Sequence, residues 1–209
     1  MYKRQDLIDN KFSKLSQREK DVDIHFEKTP KKEAIATNAT VNYVAKSYDL
    51  KEFDQTYNGK LTLASSILSN PHLYELIRAK GGAYGAGLVV DRNALIGAFS
   101  YRDPNIKKTL DNYDTIGDIL KNLEIDQRDF QNQQISSMGK FLKPKTSAQK
   151  GDSDFVSYLK DEEIDDSKIL DDIKNASIED IKSFADIFEK SMKFDNICVF
   201  ANKDQIKNE

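Results

Sequence analysis

The stretch Tyr74-Glu-Leu-Ile-Arg-Ala-Lys-Gly-Gly-Ala-Tyr-Gly-Ala-Gly87 passes from a helical pattern into a turn dense in glycine. Leu73, Leu76 and Ile77 recur at helical spacing, and the Gly81-Gly82 pair supplies the stop, because glycine enters left-handed backbone without steric cost. Beyond the turn the residues change to strand type. The pattern predicts strands over 86–90 and 94–101, joined by Asp91-Arg-Asn93 as a hairpin turn. A helix feeding an antiparallel hairpin therefore anchors the reading of the rest.

Upstream, Thr40 to Tyr48 is β-branched and aromatic and reads as a strand. Tyr57-Asn58-Gly59 marks a turn before an apolar helix through Leu61, Ala64, Ser65, Ile67 and Leu68, and Asn70-Pro71 restarts the chain as a short helix. Downstream, Asp103 is the expected N-cap and Pro104 the first helical residue of a helix carrying Ile106, Leu110, Tyr113, Gly117, Leu120 and Leu123. A further helix is expected over 126–142, closed by Lys143-Pro144, then a polar connector over 145–153. Helices follow at 154–160 and 166–174. Ser177 to Asp180 resembles a capping box opening a helix through Ile181, Phe184, Ala185 and Phe188. Asn196 to Ala201 is a closing strand, in which Cys198 reads as a small core hydrophobe. This order predicts an α+β domain: a largely antiparallel sheet with helices packed on one face.

The chemistry-bearing residues of the opening stretch are Arg78, at the end of the helix, and Tyr84, just past the turn. A guanidinium fork beside a phenolic donor suits the holding of peptide carbonyls and of a developing oxyanion. The glycines, Gly81 and Gly82 foremost, leave room for another chain to approach. The same residues equally fit a plain helix-to-strand connection with a snorkelling arginine and a core tyrosine.

Composition narrows the class. With 38% hydrophobic and 32% charged residues in 209, the chain suits one large domain with a solvated exterior. A net charge of −3 offers no basic field for nucleic acid and no polybasic patch for membrane. The single cysteine excludes a disulfide within the chain and fits a reducing compartment. Met1 to Gln5 match the translated end of a sequencing-library adapter and are set aside. Residues 7–18 are polar and loosely helical, and 19–32 read as a charged linker holding His25 at the surface.

Other chemistries fail on residue types. His72-Leu-Tyr-Glu75-Leu76 lacks the second histidine of an inverted zinc motif, and one imidazole with one carboxylate cannot close a catalytic zinc site. Gly82 to Gly87 has P-loop spacing, but Leu88-Val89 replaces the lysine and hydroxyl pair, and Gly85-Ala-Gly87 lacks the third glycine of a dinucleotide fingerprint. No serine stands in a glycine elbow. The acidic run Asp161-Glu-Glu163 lacks calcium-loop spacing.

The strings Asn42-Tyr-Val-Ala-Lys46, Ile77-Arg-Ala-Lys-Gly-Gly-Ala-Tyr-Gly85 and Ser100-Tyr-Arg-Asp-Pro-Asn105, with Thr109-Leu110 and Tyr113, resemble the C-terminal domain of insulinase/pitrilysin-superfamily zinc metallopeptidases, in the presequence-peptidase (peptidasome) branch. The resemblance spans about residues 33–209 and leaves 6–32 as a connection from a preceding domain. It implies an α/β sandwich of the LuxS/metallopeptidase-like type, and a full enzyme of four related domains whose two halves close around a chamber. It further implies Zn(2+) in the N-terminal half, absent from this piece, and unfolded peptides as substrates. By motif match Arg78 and Tyr84 would be catalytic, with Arg78 holding a substrate carbonyl and Tyr84 donating to its oxygen. Gly81 and Gly82 would join them in substrate binding. Partners would be peptides and the N-terminal half of the same polypeptide, with neither nucleic acid nor membrane. Alone, the fragment would be inactive. Ser100 to Asn105 is expected to be structural, with Tyr101 and Arg102 packing or pairing locally. The alternative within the superfamily is a non-catalytic binding or assembly subunit. The Lys-, Asn-, Asp- and Ile-rich composition points to an AT-rich bacterial source; the expected setting is the cytoplasm in a bacterium, or an organelle matrix in a eukaryote.

Overall fold

A computed structural model describes residues 32–159 and 166–208. The expectations for 6–31, including His25 and the loose helix, and for the acidic run at Asp161 lie outside the described residues. Five strands form one sheet: β1 (Lys32–Thr37), β2 (Asn42–Asp49), β3 (Gly85–Val90), β4 (Leu95–Asp103) and β5 (Ile197–Asn202), in the order β1-β5-β2-β4-β3. Only the β1–β5 pair is parallel, so the sheet is largely antiparallel as expected. β1 itself was not foreseen. Its six residues are nearly all exposed, so no alternation marks it in the sequence, and Lys32 belongs to it rather than to a linker.

Alternation sets the two faces of the sheet. Val44, Leu88, Ile96, Ala98, Val199 and Ala201 point inward against Leu61, Leu63, Ile67, Leu73, Ile77, Tyr113, Ile116 and Phe188 of the helices. On the other face Ile35, Phe200, Tyr43, Phe99, Tyr101 and Val89 remain exposed. Cys198 lies on this open face opposite Ala45 and is exposed, not the core hydrophobe its apolar neighbours suggest.

The helical layer starts with α1 (Gly59–Ile67), capped by the Asn58 side chain. It runs on into a wide helix, Leu68–Ala79, that leaves helical geometry at Asn70. The helix expected across 106–123 is two, α2 (Lys107–Asp114) and α3 (Ile116–Lys121). The break lets Gly117 press its backbone against Ala185 and Glu189, where a side chain would collide. α4 (Gln127–Phe141) begins at the Asp126 cap. The connector expected at 145–153 is instead helical from Ser147 onward, forming α5 (Ser147–Leu159). Thr146 and Gln149 exchange backbone and side-chain hydrogen bonds there, a capping signal present in the sequence. α6 (Asp166–Lys174), α7 (Ile178–Lys182, with its Ser177–Asp180 capping box), α8 (Ala185–Lys193) and α9 (Lys203–Asn208) complete the described helices.

Three polar groups are buried on the inner side of the sheet. Lys46 is only 2% exposed and pairs with Asp114 at 2.6 Å and Asp195 at 3.2 Å. Tyr113 donates to the Val44 carbonyl at 3.1 Å, and burial holds its phenol well above the usual range. Asp103 is fully buried and does not cap a helix from solvent. α2 starts four residues later because the Asp103 carboxylate turns inward, accepting from the Asn105 amide at 2.8 Å and the Thr109 hydroxyl at 2.7 Å.

Candidate functional site

Three short segments converge at the end of the sheet where β3 begins. The first is the last turn of the wide helix. Ser69 fixes that helix to β3, its hydroxyl accepting from the Leu88 amide at 2.8 Å. Tyr74 and Arg78 stand one turn apart, with the Arg78 guanidinium carbon 4.9 Å from the centre of the Tyr74 ring. The second is the glycine turn. Gly82 adopts φ +84° and donates to the Arg78 carbonyl at 2.9 Å, and Ala83 donates to that of Ile77 at 3.1 Å. A side chain at Gly81 would run into the Ile77 carbonyl, so both glycines are required by the turn itself. Ala83 is buried and Tyr84 emerges, its amide donating to the Arg102 carbonyl at 3.3 Å.

The third segment is the end of β4. Tyr101 pairs with Tyr43 and Asp103 with Asn42, so Arg102 is an extra residue in the ladder, at φ +50°. Such a bulge re-aims side chains. Asn105 closes the arrangement by donating to the Gly81 carbonyl at 2.7 Å.

Tyr84 is the centre of the resulting cluster and is 58% exposed. The Tyr101 ring meets it edge-on at 5.6 Å between centroids. The guanidinium carbons of Arg78 and Arg102 lie 5.8 and 5.5 Å from its centroid, within the range of cation–π attraction. Among the described residues neither arginine has a carboxylate partner. The open sheet face continues from this cluster: Tyr101 covers Gly85, Phe99 covers Gly87 at 3.1 Å from where a side chain would begin, and Tyr43 meets Phe200 edge-on at 6.0 Å. The edge-strand glycines are thus shielded by aromatic rings from the neighbouring strand.

The structure brings Arg78, Tyr84, Gly81 and Gly82 together, with the two side chains pointing out and the two glycines shaping the turn below. Sequence reasoning missed Tyr74, Tyr101, Arg102 and Asn105 as members of the cluster. Their signal was present: the Ser100–Asn105 string was singled out, but Tyr101 and Arg102 were assigned to local packing, and the neighbour they pack on is Tyr84. For metal, His72 is half-buried, and burial lowers its pKa below the ordinary imidazole value. Glu75 pairs instead with Lys80 at 3.4 Å. Among the described residues no group of three or more His, Cys, Asp or Glu is arranged to hold an ion.

The family model described as "PreP C-terminal domain" matches residues 32–203. Protein HypA of Clostridium perfringens is 39% identical over 184 residues, 88% of this chain and 19% of its own length. Presequence protease 1, chloroplastic/mitochondrial, of Arabidopsis thaliana is 34% identical over 157 residues, 73% of this chain and 14% of its own. Among solved structures, pitrilysin superposes with a TM-score of 0.55 at 16% identity, over 80% of this chain and 19% of pitrilysin, which supports the fold alone. The chain thus spans about a fifth or less of the curated relatives it matches. With nearly the whole described sheet-and-helix unit inside the matched range, the chain belongs to the PreP C-terminal domain family, the C-terminal domain of insulinase-family peptidases.

Proposed function

We propose that this domain is the substrate-handling end of a zinc-dependent oligopeptidase that degrades unfolded peptides inside a closed chamber. Arg78 holds a peptide carbonyl, and Tyr84 donates to the oxygen of the carbonyl under attack. The glycine turn at Gly81 and Gly82 lets the peptide backbone come close. The metal and the attacking group belong to an N-terminal half outside this chain, and the domain alone does not cleave. The observation that carries this reading is the shared, exposed position of Arg78 and Tyr84 about one phenol ring, 5.8 Å from guanidinium carbon to centroid. A forked cation and a phenolic donor, with no carboxylate competing for them among the described residues, can bind a ligand's oxygens. The open aromatic face beside them suits an extended chain better than a folded protein. A bacterial cytoplasm, or an organelle matrix in a eukaryote, is the proposed setting.

The test begins with the coding sequence upstream, which should encode an inverted His-x-x-Glu-His motif. The full-length protein should then cleave unstructured peptides, and Arg78→Ala should lower kcat/KM by about 10²-fold, as expected for loss of a charged contact to the reacting group. Peptide binding without cleavage by an intact full-length protein would instead identify a non-catalytic subunit.

A further inference from the structure

The site reading uses Arg78 and Tyr84 and leaves Arg102 without a task, although Arg102 is the residue on which the chain spends conformational strain. Its backbone sits at φ +50°, where a side chain is disfavoured, and it is the one residue of the Tyr101–Asp103 run with no opposite number on β2. The surroundings hold it there. Asp103, fully buried, is fixed by the Asn105 amide and the Thr109 hydroxyl, and the Arg102 carbonyl accepts from Tyr84. The guanidinium that results lies 5.5 Å from the Tyr84 centroid and is exposed. Nearby Lys80 has Glu75 as a partner, whereas neither Arg102 nor Arg78 has a carboxylate among the described residues. Two unneutralised cations on one phenol leave a local positive charge that a ring quadrupole offsets only in part.

We propose that Arg102 is a specificity residue of the peptide site and binds a carboxylate of the substrate, from an acidic side chain or from the C-terminus. This rests on the peptidase reading above: Arg78 takes the carbonyl, and Arg102 supplies the second charge that makes the site prefer acidic peptides. Because both groups are solvent-exposed in the open domain, the preference is electrostatic and falls as salt rises.

The experiment uses the full-length peptidase and two peptide sets: one Glu moved along a neutral, unstructured sequence against its Gln counterpart, and a C-terminal acid against its amide. Wild-type kcat/KM should favour the charged member of one set by about three- to tenfold, and the set that shows it identifies the source of the carboxylate. Arg102→Asn and Arg102→Gly both tolerate left-handed backbone, so the bulge survives while the charge is lost. Both should bring the ratio to about one, and Arg102→Lys should keep part of it. An unchanged ratio in folded variants overturns the proposal, as does a wild-type enzyme with no preference in either set. Two controls separate the readings: undiminished turnover in Tyr84→Phe refutes the oxyanion role of Tyr84, whereas a full-length protein that cleaves no peptide removes the peptidase reading and this inference with it. A normal loss in Tyr84→Phe with an unmoved ratio in Arg102→Asn removes this inference alone.

Discussion

Replacing Tyr84 by Phe in the full-length enzyme deletes one hydroxyl and little else. The ring keeps its edge-on contact with Tyr101 at 5.6 Å and its two guanidinium neighbours. With Tyr84 58% exposed, stability should change by no more than about 0.5 kcal/mol, so a kinetic effect cannot be blamed on folding. The size of that effect depends on where the hydroxyl does its work. In water a neutral hydrogen bond is worth about 1 kcal/mol net, or roughly a fivefold change in rate. Aimed at a developing oxyanion in a site from which water is excluded, one donor is worth about 10²–10³ in kcat. The second value is expected, with KM almost unmoved, because the interaction strengthens only as charge builds on the oxygen. Steady-state cleavage of a quenched fluorescent peptide measures both constants. A kcat within twofold of wild type, or a raised KM at constant kcat, would refute the oxyanion role.

Other substitutions probe the scaffold around that group. Gly85→Ala places a methyl inside the Tyr101 ring, which must swing off Tyr84; thermal unfolding should show a loss of about 1–2 kcal/mol, and kcat should fall with it. Asn105→Ala removes the 2.7 Å bond to the Gly81 carbonyl, so stability should drop by about 1 kcal/mol, yet kcat/KM should fall by more than the roughly fivefold that figure represents, because a displaced turn misplaces Arg78 and Tyr84 together. Asp195→Asn tests the buried cation Lys46. Lys32 first, and Lys46 with it, hold the Asp195 carboxyl below its ordinary pKa. Stability from this group is therefore present above the unfolded value near pH ~4 and lost as pH falls through the lower folded value. The gap in Tm between wild type and Asp195→Asn should be wide at neutral pH and close in acid; a gap independent of pH would contradict the pairing. Asn is chosen because Asp195 sits at φ +64°.

Much of the architecture was legible because local signals and tertiary demands agree. The glycine stop after Ala79, the Asn58 and Asp126 caps and the Ser177 capping box each appear where the residue types place them. The failures share a cause: the deciding interaction is distant in sequence. Asp103-Pro104 has the form of a helix start, but burying the carboxylate against Thr109 outweighs exposing it at a cap, and the helix begins later. β1 is a strand only because β5 lies beside it, and its residue Lys32 pairs with the far distant Ile197. Cys198 is apolar in its neighbours and still exposed, because none of the described helices covers that face of the sheet. At the site, Arg78 and Tyr84 are close in sequence and were found together. Arg102 arrives from a strand two turns of chain away, through a bulge that no periodicity marks.

The geometry also bears on why such a site would be divided between two halves of an enzyme. The Arg78, Tyr84 and Arg102 donors all face water, where a hydrogen bond or an exposed ion pair contributes about 1 kcal/mol or less. The same groups gain severalfold when water is excluded, since the dielectric around them falls. Their arrangement is meanwhile already fixed. Asn105 ties β4 to the glycine turn, Tyr84 bonds back to Arg102, and Ser69 locks the helix to β3. On the proposed reading, closure on a peptide would have to supply dehydration and not reorganisation. On the proposed reading the open domain is inert toward folded proteins, which cannot be enclosed. Its donors act at full strength only on a chain thin enough to lie across the aromatic face while a partner half seals it.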